Sequence, residues 1–155
     1  IQVNPITTSI FDLSPAEKLQ LVEDLWDDLA ATPEAIPVHD WQKEELARRK
    51  ANLAKNPASG LTWEEVKRGF GIAMAAKLVI APIGLGEELL SCVDACIATI
   101  CRMPEINTTV HEQYRRGLVR RFPYVVFYEY SNATVTVYAV LHTARDPNKW
   151  RQRLP

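Results

Sequence analysis

Apolar and polar positions divide the chain into an all-helical first half and a mixed second half. At Ser14-Pro15-Ala16-Glu17 a serine cap, a proline at the first helical position and a glutamate three residues after the cap coincide, which predicts a helix start. Leu19, Val22, Leu25, Trp26 and Leu29 follow at helical spacing and leave Glu23, Asp24, Asp27 and Asp28 to the polar side. Thr32-Pro33 and Ile36-Pro37 end this helix, because residues before proline are driven out of helical geometry. A second helix is expected from about Asp40 through Trp41, Leu46 and Leu53, stopped at Asn56-Pro57 and Gly60. Thr62-Trp63-Glu64-Glu65 is another capping box and predicts a short third helix through Val66 and Phe70. Short amphipathic helices punctuated by prolines make a poor core of their own, so this half is expected to wrap around something else.

After Met74 the pattern changes. Ala76 to Ala81 is a short β-prone apolar run closed by Pro82, and Leu89, Leu90, Val93, Ile97 and Ile100 then recur at helical spacing up to Pro104. Three β segments follow: Tyr114 to Phe122, Tyr124 to Tyr130, and Thr134 to His142, the last with Val135, Val137, Ala139 and Leu141 on one face. Phe122-Pro123 makes a corner and Ser131-Asn132 a turn, so the three should form an antiparallel meander. The expected class is α+β: N-terminal short helices packed on a small antiparallel sheet with one main helix.

Charge sharpens this division. The formal net charge is -1, yet residues 1–73 hold 8 Lys/Arg against 12 Asp/Glu, and residues 74–155 hold 10 against 7. From Arg102 onward there are 9 basic and 4 acidic residues. An acidic half tethered to a basic one can neutralise it in cis, whereas a basic domain alone would seek nucleic acid or an acidic surface. Two domains are therefore read, an acidic helical segment at 1–73 and a basic domain at 74–155. The apolar fraction of 47% suffices for a core, while no apolar run approaches a membrane span and no secretory pattern opens the chain, so cytoplasmic residence is expected. Cys92, Cys96 and Cys101 are odd in number and clustered, which suits reduced thiols; no metal site and no cofactor is expected.

The residues that carry chemistry are basic. Arg115, Arg116, Arg120 and Arg121 lie within one predicted strand, where alternation would send Arg116 and Arg120 to one face. They are either solvated edge residues or partners of carboxylates, with Glu23, Asp24, Asp27, Asp28, Glu64 and Glu65 as candidates. His142 and Arg145, with Arg116 and Arg120, are candidate catalytic residues for chemistry at an RNA phosphate, against a structural role in closing the last strand. Leu25, Trp26 and Trp63, together with Arg116 and Arg120, are expected at the junction of the halves, the three apolar side chains buried.

Two stretches carry resemblances. LSPAEKLQLVEDLWDDLA, DWQKEELARRKANLAKNP and LTWEEVKRGF, spanning Leu13 to Phe70, resemble the small addiction-module antitoxins, of RelB/ParD-like role. GLGEELL, ATICRMPE, VHEQYRRGLVRRFPYVVFYEY and VLHTARDPNKWRQR, within residues 84–153, resemble ParE-like toxins of the RelE/ParE superfamily. Met74 stands where a separate toxin frame would begin, so the resemblance implies a fused toxin–antitoxin protein of the plasmid-stabilisation kind. Within that superfamily RelE-like members cut mRNA on the ribosome and ParE-like members poison DNA gyrase; the ParE side is favoured here, with RelE-type cleavage and a non-toxic binding module as alternatives. The long helix that normally follows the first toxin strand is missing, since only Pro82 and Ile83 separate Ala81 from Gly84. Its absence implies that the antitoxin helices fill the vacancy, within one chain or exchanged in a homodimer, or that the toxin is crippled.

Overall fold

The computed structural model describes residues 9–68 and 85–143. The domain boundary before Met74, the strand expected at Ala76 to Ala81 and the candidate Arg145 lie outside them. Helix α1 spans Pro15–Ala31, α2 Asp40–Lys55, α3 is helical over residues 63–68, and α4 spans Leu85–Arg102. Strands β1 Thr109–His111, β2 Tyr114–Leu118, β3 Tyr124–Ser131 and β4 Thr134–His142 form one antiparallel sheet in the order β1-β2-β3-β4.

Helix starts follow their capping chemistry. The Ser14 backbone N–H donates to the Glu17 carboxylate at 2.8 Å while the Glu17 N–H donates to Ser14 Oγ at 3.3 Å. Thr62 and Glu65 repeat the exchange at 2.7 and 3.3 Å, and the His39 N–H donates to Gln42 Oε1 at 3.0 Å. Each exchange satisfies backbone donors that a helix end otherwise leaves without partners.

The sheet is covered on both faces. Val93, Ile97 and Ile100 of α4, at helical spacing, pack with Val126 and Tyr128 of β3. The contact is close because Gly117 of β2 has no side chain: a Cβ there would lie 3.0 Å from Ile100 Cδ1 and 3.1 Å from Cys96 Sγ. On the opposite face Tyr114, Val125, Phe127, Ala139 and Leu141 close around Leu46 of α2, with Val38 and Trp41 beside it. Leu46, from the helical half, is 0% exposed.

Three expectations are corrected in this region. The basic strand stops at Leu118, and Arg120 and Arg121 lie in the following turn with Arg121 at φ 70°, so strand alternation does not orient them. β4 does not present one continuous apolar face: Phe127 pairs with Ala139 and Tyr128 with Val137, which leaves Tyr138 as the extra residue of a bulge. Consequently Val135 packs on the α4 side, whereas Ala139 and Leu141 pack on the α2 side. The β3–β4 turn falls one residue later than expected, with Ser131 paired to Thr134 and both Asn132 and Ala133 at positive φ, 50° and 57°. The short β1 was not anticipated, since three residues carry almost no alternation.

Candidate interface between the helical and sheet halves

Helical-half side chains meet the sheet half largely through its backbone. Trp26 Nε1 donates to the Val119 carbonyl at 2.9 Å, Gln42 Nε2 to the His142 carbonyl at 2.9 Å, and Arg49 Nη1 to the Tyr138 carbonyl at 3.0 Å. Tyr138 is the bulge residue, so Arg49 supplies a donor to a carbonyl outside the paired register. Glu45 aims that guanidinium by accepting from Arg49 Nε at 2.6 Å, and its carboxyl is held below the usual range chiefly by Arg48, which also donates to it. In return the Tyr114 hydroxyl donates to the Leu46 carbonyl at 3.4 Å and Arg116 Nη2 to the Pro33 carbonyl at 2.7 Å. Among the described residues, five hydrogen bonds between the halves therefore end on backbone carbonyls.

Ion pairs between the halves mostly oppose the expected polarity. Lys50 of the acidic half pairs with Glu129 at 2.5 Å and also lies over the Tyr114 ring, 5.4 Å from its centre. Lys67 pairs with Asp94 at 3.4 Å, and Trp63 Nε1 donates to the same carboxylate at 2.5 Å. Those two donors, the indole foremost, hold the Asp94 carboxyl below its ordinary range. Among the described residues only Arg121–Glu23, at 3.4 Å, follows the expected direction. Arg115 bonds the Asn107 carbonyl, and Arg120 has no carboxylate within 4.0 Å among the described residues. The predicted meeting of Arg116 and Arg120 with carboxylates is thus replaced by a carbonyl contact for Arg116 and an exposed turn position for Arg120.

The apolar candidates separate too. Trp26 is buried and Trp63 half-buried against the α4 layer. Leu25, expected to be buried, is 55% exposed, because one residue turns a helix by about 100° and α1 approaches the sheet half with Glu23, Trp26 and Ala30. Leu19, Val22 and Leu29 are exposed as well. Sequence reasoning missed Gln42, Leu46 and Arg49 as individual contact residues. Gln42 had a signal, since it stands three residues after His39 in capping-box position within the DWQ stretch.

Among the described catalytic candidates, Arg116 and His142 lie on opposite faces of the sheet. Arg116 lies beside Tyr114 and Leu118 on the α2 side of the sheet, by strand alternation. His142 neighbours Leu141 in sequence and turns to the other side, where its ring meets Tyr124 edge-on at 5.2 Å. Opposite faces of one sheet cannot serve a single phosphate. Among the described residues no group of three or more His, Cys, Asp or Glu side chains is placed to hold a metal ion, and no helix is long and apolar enough to cross a membrane.

Comparison with known proteins finds two family matches, one on each side of this interface. Residues 12–66 match the family described as "Putative addiction module component", and residues 80–147 match the ParE toxin of the type II toxin-antitoxin system parDE. The chain is an addiction-module component followed by a ParE toxin domain. No curated protein and no solved structure matches it. In the ParE–antitoxin chain, Leu46, Trp26, Gln42 and Arg49 are antitoxin residues and the sheet with α4 is toxin.

Proposed function

We propose that this chain is a self-neutralised toxin–antitoxin protein, in which the antitoxin segment covers its own ParE sheet in cis. The observation that carries the reading is Leu46, fully buried from an antitoxin helix into the toxin sheet's core. Donors from Trp26, Gln42 and Arg49 satisfy toxin carbonyls around it. A target protein that needs this face is blocked while α2 remains docked. The placement of Arg116 and His142 on opposite faces favours poisoning of a protein target such as DNA gyrase over RNA cleavage. Action in the cytoplasm accords with either target.

Expression of residues 74–155 alone, and again beside residues 1–73 as a separate chain, tests this reading. Growth arrest with DNA damage, relieved by the second chain, is the expected result. Arrest with mRNA cleavage would favour ribosome-dependent nuclease action instead, and no arrest would leave a binding module that keeps only the fold.

The intact protein is further proposed to be a homodimer. Because the sheet is covered within one chain, the support comes from α1, whose Leu19, Val22, Leu25 and Leu29 lie exposed, as does Phe11. Two such stripes packed together would withdraw apolar surface from water without exchanging helices.

A further inference from the structure

Arg116 is 6% exposed, yet among the described residues its guanidinium makes one hydrogen bond, to the Pro33 carbonyl. Arginine carries five N–H donors in a planar fork that matches an oxyanion. Withdrawing most of such a side chain from water without a countercharge is costly, and burial pushes the pKa of Arg116 down, while its N–H groups that lack a protein partner keep access to solvent. No carboxylate lies within 4.0 Å of it among the described residues. The side chain lines a cleft of about 690 Å³ running between residues 30–43 of the antitoxin segment and 106–118 of the toxin.

Among the described residues the rest of the lining adds one further cation, Lys43. Lys43 lines it and is 3.5 Å from the well-exposed Asp40, which leaves its ammonium largely hydrated. His111 lines it, with Nε2 3.8 Å from Glu112. Among the described residues Glu34 is the single carboxylate of the lining, while Ile36 and Leu118 supply apolar wall. The volume falls within the range of small-molecule sites, which combine apolar walls with a few convergent polar groups.

We infer that the cleft over Arg116 is a binding site for a small metabolite bearing an oxyanion, phosphate or carboxylate. The oxyanion accepts from the free donors of Arg116, and Lys43 meets a second negative group nearer the mouth. Because one wall is antitoxin and the other toxin, the site is complete only when the halves are docked. A ligand bound by the docked form alone stabilises that form by mass action. It therefore acts as a latch, whether or not the ParE sheet is toxic when released.

Titration of the full-length protein with inorganic phosphate and, separately, with succinate tests the site. Calorimetry should show saturable one-to-one binding of at least one of the two, with a rise in melting temperature and slower amide exchange in residues 30–43 and 106–118. The probe that binds identifies which oxyanion the site takes. Arg116→Gln should weaken binding at least tenfold. Lys43→Gln, at a partly exposed position that leaves the fold intact, should weaken it several-fold, so the site remains testable even where Arg116→Gln misfolds. Absence of saturable binding for both probes, a melting shift that chloride reproduces at equal ionic strength, or affinity unchanged in Lys43→Gln and in a folded Arg116→Gln would overturn the inference.

Discussion

Arg116 and Arg120 stand four residues apart in a run of identical chemistry, but burial gives them opposite sensitivities. Arg116→Glu places a carboxylate against the Pro33 carbonyl in a nearly buried position and loses the one bond made there. An unpaired buried charge facing an acceptor costs on the order of 3–5 kcal/mol, so chemical denaturation should show a large loss of stability. Arg120→Glu sits in an exposed turn and should stay within about 0.5 kcal/mol of the parent. Equal effects at both positions would contradict the geometry. At Ala133, φ of 57° places a Cβ-bearing residue in left-handed backbone at the second centre of a two-residue turn. That conformation costs roughly 1–2 kcal/mol, partly offset by the greater freedom glycine has when unfolded. Ala133→Gly should therefore raise stability by about 0.5–1 kcal/mol, read as a higher denaturation midpoint.

At the scale of elements, α2 holds the antitoxin segment to the toxin through its apolar side, and Leu46 is its centre. Leu46→Ala should cost roughly 2–5 kcal/mol in the intact chain, from lost transfer energy and the cavity left behind. Separately expressed halves should associate more weakly by a comparable amount, measured by titration calorimetry. Helix α3 is held differently, since Trp63 and Lys67 both converge on Asp94. The Asp94 carboxyl has its pKa lowered from 3.8, so its stabilising contribution is complete above that value and is lost as pH falls through the lowered one. An acid titration of tryptophan fluorescence should show a step below pH ~4 in the parent that Asp94→Asn removes. A step unchanged by the substitution would mean that α3 is held by other contacts.

The whole molecule is joined by apolar burial and carbonyl hydrogen bonds more than by its charge asymmetry. Exposed ion pairs contribute little and are screened by salt, whereas buried contacts are not. Raising the salt concentration from 0.05 to 1 M, where the screening length shrinks from above ~10 Å to ~3 Å, should leave the affinity of separated halves within a few-fold. A collapse of affinity would restore the charge-neutralisation account. For the proposed dimer, light scattering across a tenfold dilution should report two chains, and Val22→Glu with Leu25→Glu should yield monomers with α2 still docked. An intact chain that is monomeric at every concentration would sink the α1 contact.

Helix positions were legible in the sequence because their causes are local. Ser14-Pro15 with Glu17, Thr62 with Glu65, and prolines at Pro33, Pro37 and Pro57 act within a turn of chain, and the helices begin and end there. The β3–β4 pairing was legible for the same reason, since adjacent strands and a short turn specify each other. Which side of α1 is buried was not legible. Helical spacing defines an apolar stripe, but the surface meeting it lies some ninety residues away, and the structure uses Trp26 while leaving Leu25 bare. Arginine partners were illegible because the acceptors that matter are backbone carbonyls, which every residue carries and composition cannot register. The bulge at Tyr138 reversed which residues of β4 share a face, because one extra residue shifts a period of two. The sequence by itself determined where the helices begin, how the three longer strands pair and that a helical stretch is joined to one carrying a sheet. The tertiary structure alone decided how those halves meet, because that contact is made by shape, burial and main-chain groups brought together across long stretches of chain.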